Sequence, residues 1–183
     1  MTDNLIRLKF TEADCDVAHR TWGCNCGPAA AAATLGLSLD DVREAFEKAG
    51  FAEKQYTSPT MMKSALWHLK AVVTVKSLGG ILLESLKFPK QGLARIQWEG
   101  PWTAPGANPK WAYRQTHWVA SWLPHGETVW DKMHAALDPV IFDVNGGLMS
   151  LSDWEKNIVP EIVKTIPRAD GDWHLTHSWE ITR

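Results

Sequence analysis

The chain lacks an excess of charge of either sign: 19 Lys and Arg stand against 21 Asp and Glu in 183 residues, a net charge of −2. Without a basic surplus it is not expected to bind nucleic acid, where affinity rests on neutralising phosphates. No window reaches the roughly 18 uninterrupted apolar residues of a membrane span, so no membrane partner is expected. Residues 1–10 carry Asp3, Arg7 and Lys9 among a few apolar side chains and have no secretory apolar stretch. Cysteine is scarce and odd in number, with only Cys15, Cys24 and Cys26. That excludes a disulfide scaffold and reads as reduced thiols in the cytoplasm. Phe and Tyr are few as well, 5 and 2 against 11 Trp, so indole carries most of the aromatic volume. Internal repeats, low-complexity linkers and charge blocks are missing too, and the length then suits one domain over 1–183.

Helix signals dominate the first 70 residues. Gly27-Pro28-Ala29-Ala30-Ala31-Ala32-Ala33-Thr34-Leu35-Gly36 joins the best helix former to a proline suited to the first turn and a glycine suited to the end. A helix is therefore expected from Cys26 or Gly27 to Leu35, placed centrally because small side chains allow close approach. Ser38-Leu39-Asp40-Asp41 is a capping box, and Leu39, Val42, Phe46 and Ala49 repeat at helical spacing up to Gly50. Thr57-Ser58-Pro59 opens a third helix with Met62, Leu66 and Leu69 as its stripe. From Ala71 the texture turns to β. Strands are expected at 92–98, 116–122 and 140–144, the last closed by Asn145-Gly146-Gly147. Ser152-Asp153-Trp154-Glu155 predicts one more capped helix, disturbed at Pro160. Trp173, Leu175, His177, Trp179 and Ile181 alternate with polar residues and predict a final strand with those five on one face. Helices first and an antiparallel sheet after them make an α+β layout.

Three residues stand where chemistry needs them. Cys26 opens the alanine helix, where unpaired N–H groups and the positive end of the helix favour a thiolate, the nucleophilic form. His117 enters an apolar strand just after the Pro/Gly-rich stretch 99–109, a rigid position for a general base. Asp143 ends another apolar strand and can orient an imidazole; Asn145 and Asp131 compete for that role. Each signal alone has an ordinary reading: a small buried thiol, a surface histidine, a turn residue.

The order Cys, His, Asp with helices before strands resembles the papain-like cysteine peptidases. It is most similar to the compact branch related to bacteriocin leader-peptide-processing enzymes. Cys26-Gly27-Pro28-Ala29-Ala30, His117-Trp118-Val119-Ala120 and Phe142-Asp143 carry the likeness, which spans about residues 20–160. The resemblance implies a papain-like fold, a helical N-terminal half packed on an antiparallel β C-terminal half. It implies a Cys26, His117, Asp143 triad that hydrolyses a peptide or isopeptide bond of a protein or peptide substrate through a thioester. No cofactor is implied. One departure concerns the oxyanion site. The family carries a Gln shortly before the nucleophile, whereas no Gln precedes Cys26 here. The Cys26 N–H remains as one donor, and His19, Arg20, Thr21 and Asn25 are the nearby polar side chains. An acyltransferase or a non-catalytic peptide-binding domain are the competing classes on the same fold.

Other residues carry weaker signals. Cys24-Asn25-Cys26 with scattered histidines is a poor match to paired metal-ligand clusters, and no metal is expected. His174 and His177 are expected on opposite faces of their strand. Trp98, Trp102 and Trp111 flank the loop before His117 and have two equal readings, the wall of a substrate groove or loop residues folded onto their own core.

Overall fold

The computed structural model describes residues 8–75, 87–108, 114–123 and 138–182. Trp111, His125, Asp131 and His134 lie outside the described residues. Helix α1, Glu12–Trp22, starts at Thr11, whose hydroxyl and Asp14 cap each other reciprocally. This element was not among the sequence expectations. α2 is Cys26–Leu35, capped by Asn25 and ended by Gly36 at φ 61°. All of its residues from Gly27 to Thr34 are buried, which fits a helix apolar on every side. α3 (Leu39–Lys48) has the expected Ser38–Asp41 box, α4 (Phe51–Lys54) is a single turn, and α5 (Pro59–His68) is capped by Ser58.

The strands are β1 (Val72–Val75), β2 (Gln91–Trp98), β3 (Thr116–Trp122), β4 (Val140–Asp143) and β5 (Gly147–Ser150). After β5 come α6 (Leu151–Asn157), α7 (Val159–Thr165) and β6 (Trp173–Thr182). The cap of α6 is Ser150, not Ser152: Ser150 Oγ accepts from Asp153 N at 3.1 Å. Ser152 already lies inside the helix, its own N–H donating to Asp138 at 3.1 Å. Pro160 falls in the first turn of α7, where a missing N–H costs nothing.

One antiparallel sheet in the order β1-β6-β2-β3-β4-β5 joins the strands. The helical N-terminal part and the antiparallel sheet make the fold α+β. α2 lies across β3, β2 and β4, tied by Thr34 Oγ1 donating to Gly92 O at 3.2 Å. The face under α2 carries Leu93, Trp118, Ala120, Phe142 and Trp179. The opposite face, with Ile96, Val119, Ile141 and Leu175, packs on Trp154 and Val159 of α6 and α7.

The final strand departs from its uniform alternation. Ile96 pairs with Leu175 but Arg95 pairs with His177, so Thr176 is the extra residue of a bulge. Leu175 therefore packs on one face while Trp179 and Ile181 pack on the other. The same shift puts His174 and His177 on one side, contrary to expectation. Among the described residues no helix is long and apolar enough to cross a membrane.

Candidate active site

β3 and β4 pair through Ala120–Phe142 and no further toward the start of β3. Where the two strands part, the N-terminus of α2 brings Cys26 against His117 and the Trp118 backbone. His117 is the second residue of β3 and 7% exposed; Asp143, the last residue of β4, is 0% exposed. His117 Nε2 donates to Asp143 Oδ2 at 2.8 Å. The remaining ring nitrogen, Nδ1, is left for the sulfur. The structure thus brings Cys26, His117 and Asp143 together in that order.

The carboxylate is saturated. Trp154 Nε1 also donates to Oδ2, at 2.7 Å, and Oδ1 accepts from Asn145 N at 2.8 Å and Asn145 Nδ2 at 3.0 Å. Asn145, a rival for the orienting role by sequence, instead holds the residue that orients. Trp154 is fully buried, and sequence reasoning placed it on a helix without a role. Its indole ring stacks on Trp98 at 6.1 Å, and Trp98 lies 6.2 Å from the His117 ring. Trp98 and Trp102 are 2% and 9% exposed, with Trp102 Nε1 donating to Trp98 O at 2.7 Å. Trp98 lies beside the imidazole and Trp102 against Trp98, so of the two readings both indoles follow the one folded onto the core. The stretch they flank folds back on the core because its indoles have partners there.

The charges follow from these contacts. Burial pushes the Cys26 thiol up, but the positive His117 beside it, its hydrogen bond and the Trp118 N–H outweigh that, even against Asp143. The thiol is held below its ordinary range. His117 would be pushed down by burial, yet the charges of Asp143 and Cys26 hold it well above the usual imidazole value. Asp143 is held low: burial opposes this, and His117, Asn145 and Trp154 overcome it. The arrangement favours a thiolate beside an imidazolium.

The other two cysteines differ in kind. Burial, then the neighbouring Cys15 and Cys26, push Cys24 to about 12. Burial, then Asp14, Asp16 and Glu12, push Cys15 to about 11. His177, wedged between Trp118 and Trp179, is lowered to about 4 by burial and then by Arg95 and Lys63. It is neutral near pH 7 and belongs to the packing.

A cleft of about 480 Å³ opens over Cys26 and His117, with Asn145 on one side and Glu12, Asp16 and His19 of α1 on the other. At the start of α2, Gly27 N donates to Asn25 Oδ1 at 3.2 Å and Ala29 N to Asn25 O at 3.1 Å. Pro28 has no N–H. The Cys26 N–H is thus the first-turn donor left for an oxyanion. Two side chains weighed as a second donor are already engaged. Thr21 Oγ1 donates to Val17 O at 2.9 Å, and Asn25 Nδ2 donates to Gln55 O at 2.9 Å. His19 stands in the cleft with Nδ1 3.0 Å from Cys24 O. Among the described residues no cluster of His, Cys, Asp or Glu is arranged to hold a metal ion. Compared with family models, curated proteins and solved structures, the chain matches none.

Proposed function

We propose that the chain is a papain-like cysteine peptidase that hydrolyses a peptide or isopeptide bond through Cys26, His117 and Asp143. The observation that carries this reading is the buried His117 imidazole, held by Asp143 at 2.8 Å and in contact with a thiol of lowered pKa. The order of helices, nucleophile, base strand and orienting strand supports the papain-like assignment.

Each step follows from the site. The Cys26 thiolate attacks the carbonyl carbon, and the oxygen that gains the charge meets the Cys26 N–H at the helix start. The imidazolium of His117 gives its proton to the leaving amine as the carbon–nitrogen bond breaks. A thioester remains on Cys26. Water attacks it, His117 takes the water proton, and the carbon–sulfur bond breaks to free the acid. Asp143 keeps the ring in one orientation and balances its charge without taking the proton.

The test reads the product. A mixed peptide library is incubated with the protein in ¹⁸O-labelled water, with Cys26→Ala as the blank, and analysed by mass spectrometry. New C-terminal carboxylates carrying one solvent oxygen are expected from the natural chain alone. Cleavage that persists in Cys26→Ala would overturn the reading, and new amide bonds without labelled acid would make the enzyme an acyltransferase.

A further inference from the structure

One wall of the cleft takes no part in the acyl chemistry. Glu12, Asp16 and His19 stand at i, i+4 and i+7 of α1, one face of a helix, and that face borders the cleft over Cys26. The third acid of the helix, Asp14, is used in the cap, accepting from Thr11 N at 2.7 Å and Thr11 Oγ1 at 2.9 Å. The carboxylates of Glu12 and Asp16 have no ion-pair or hydrogen-bond partner among the described residues. The third residue of that face, His19, donates its Nδ1–H to the Cys24 carbonyl at 3.0 Å.

Among the described residues no lysine or arginine borders the cleft, and the His117 imidazole there is committed to Asp143 and Cys26. The field of this wall is felt by its own neighbour. After burial, the charges of Asp14, Asp16 and Glu12 are what raise Cys15. Two acids on an exposed helix would by themselves be an ordinary solvated face. These two share a cleft with the nucleophile, so a substrate seated on Cys26 lies beside them.

We infer that Glu12 and Asp16 select substrates bearing a cationic side chain, lysine or arginine, next to the bond that Cys26 attacks. This rests on the reading of Cys26 as the nucleophile. The complement is electrostatic: acceptors and negative charge on the wall, an ammonium or guanidinium on the substrate.

The experiment uses active-site alkylators, so that charge selection is read apart from turnover. Peptidyl acyloxymethyl ketones are attacked by the thiolate at the methylene carbon. A sulfur–carbon bond forms and the carboxylate leaves. Acetyl-alanyl-lysine, acetyl-alanyl-norleucine and acetyl-alanyl-glutamate reagents are compared, together with a norleucine reagent whose α-amino group is free. Modification of Cys26 is followed by mass spectrometry. The lysine reagent is expected to react about tenfold faster than the norleucine one at low salt, and the glutamate reagent slower than both. The ratio should shrink in about 0.5 M salt. It should fall to near one in Glu12→Gln/Asp16→Asn and turn to favour glutamate in Glu12→Lys/Asp16→Lys.

Equal rates for lysine and norleucine in the natural chain, or a ratio untouched by the double amide variant, would overturn the inference. A preference confined to the free α-amino reagent would overturn the side-chain assignment, since the wall would then be reading a peptide N-terminus. Failure of every reagent to modify Cys26 would overturn the peptidase reading and this inference with it.

Discussion

Asp143→Asn is expected to slow Cys26 alkylation near pH 6 by about a hundredfold, to cut hydrolysis by about a thousandfold and to destabilise the protein by about 3–5 kcal/mol. Four donor hydrogens converge on the native carboxylate, two on each oxygen, at a site with no solvent exposure. An amide of the same shape has one oxygen and one NH₂. Whichever way it sits, its NH₂ faces two donors and leaves buried groups unsatisfied, at about 1–3 kcal/mol each. The imidazolium also loses its counter-charge, so His117 turns neutral and its pull on the Cys26 thiol goes with it. Alkylation rate, turnover and urea unfolding are the measurements. Trp154→Phe added to Asp143→Asn removes one of the stranded donors, so the double variant should lose less stability than the two single losses summed. Native reactivity of Cys26 in Asp143→Asn would show that the carboxylate does not govern the pair.

Gly27→Ala is the second large effect, and it acts through packing. A Cβ on Gly27 would sit 2.1 Å from Thr57 Oγ1 and 2.4 Å from Thr57 Cβ. Thr57 is buried and β-branched, so its side chain has nowhere to turn. Its backbone carbonyl accepts from Trp118 Nε1 at 2.8 Å, which ties the segment to β3 beside His117. Relief must come from moving the start of α2 or that segment, and either motion separates Cys26 from its partners. A loss of about 2–3 kcal/mol in stability is expected, with a drop in Cys26 alkylation near pH 6 of about tenfold or more. Thr57→Ala should not rescue it, because the Thr57 Cβ remains in the way. Thermal unfolding and the alkylation rate check both statements.

The parts of the site that depend on local signals were legible in the sequence. Cys26 is marked by a proline and five alanines that can only be a helix start, and His117 by its entry into an apolar strand. Asp143 could be narrowed but not separated from Asn145, because both lie at one strand end. Only tertiary contact separates the residue that orients from the residue that holds it. Trp154 was invisible in its role for the same reason: its N–H matters through a partner on another element. A position beside a loop leaves exposure undecided, so Trp98 could be read as groove wall or as core until its contacts with Trp154 and His117 were in place. α1 carries a Thr11-x-x-Asp14 box, the same signature as was recognised at Ser38. Its only buried residues are Cys15 and Ala18, too weak a stripe to stand out as a helix. With α1 unread, the spacing of Glu12, Asp16 and His19 had no meaning. The bulge in β6 leaves no trace in a segment that alternates without interruption.

The pairing of a Cys26 thiolate with a His117 imidazolium is tested most directly by the pH dependence of Cys26 alkylation. Iodoacetamide is used with site-resolved mass spectrometry on the natural chain and on His117→Ala. The ion pair predicts that Cys26 reacts far faster than Cys15 and Cys24 near neutral pH. Its rate should rise through a midpoint well below the ordinary thiol value of about 8.5, and that low midpoint should vanish in His117→Ala. A single rise near about 8.5, the same in both chains, would contradict it.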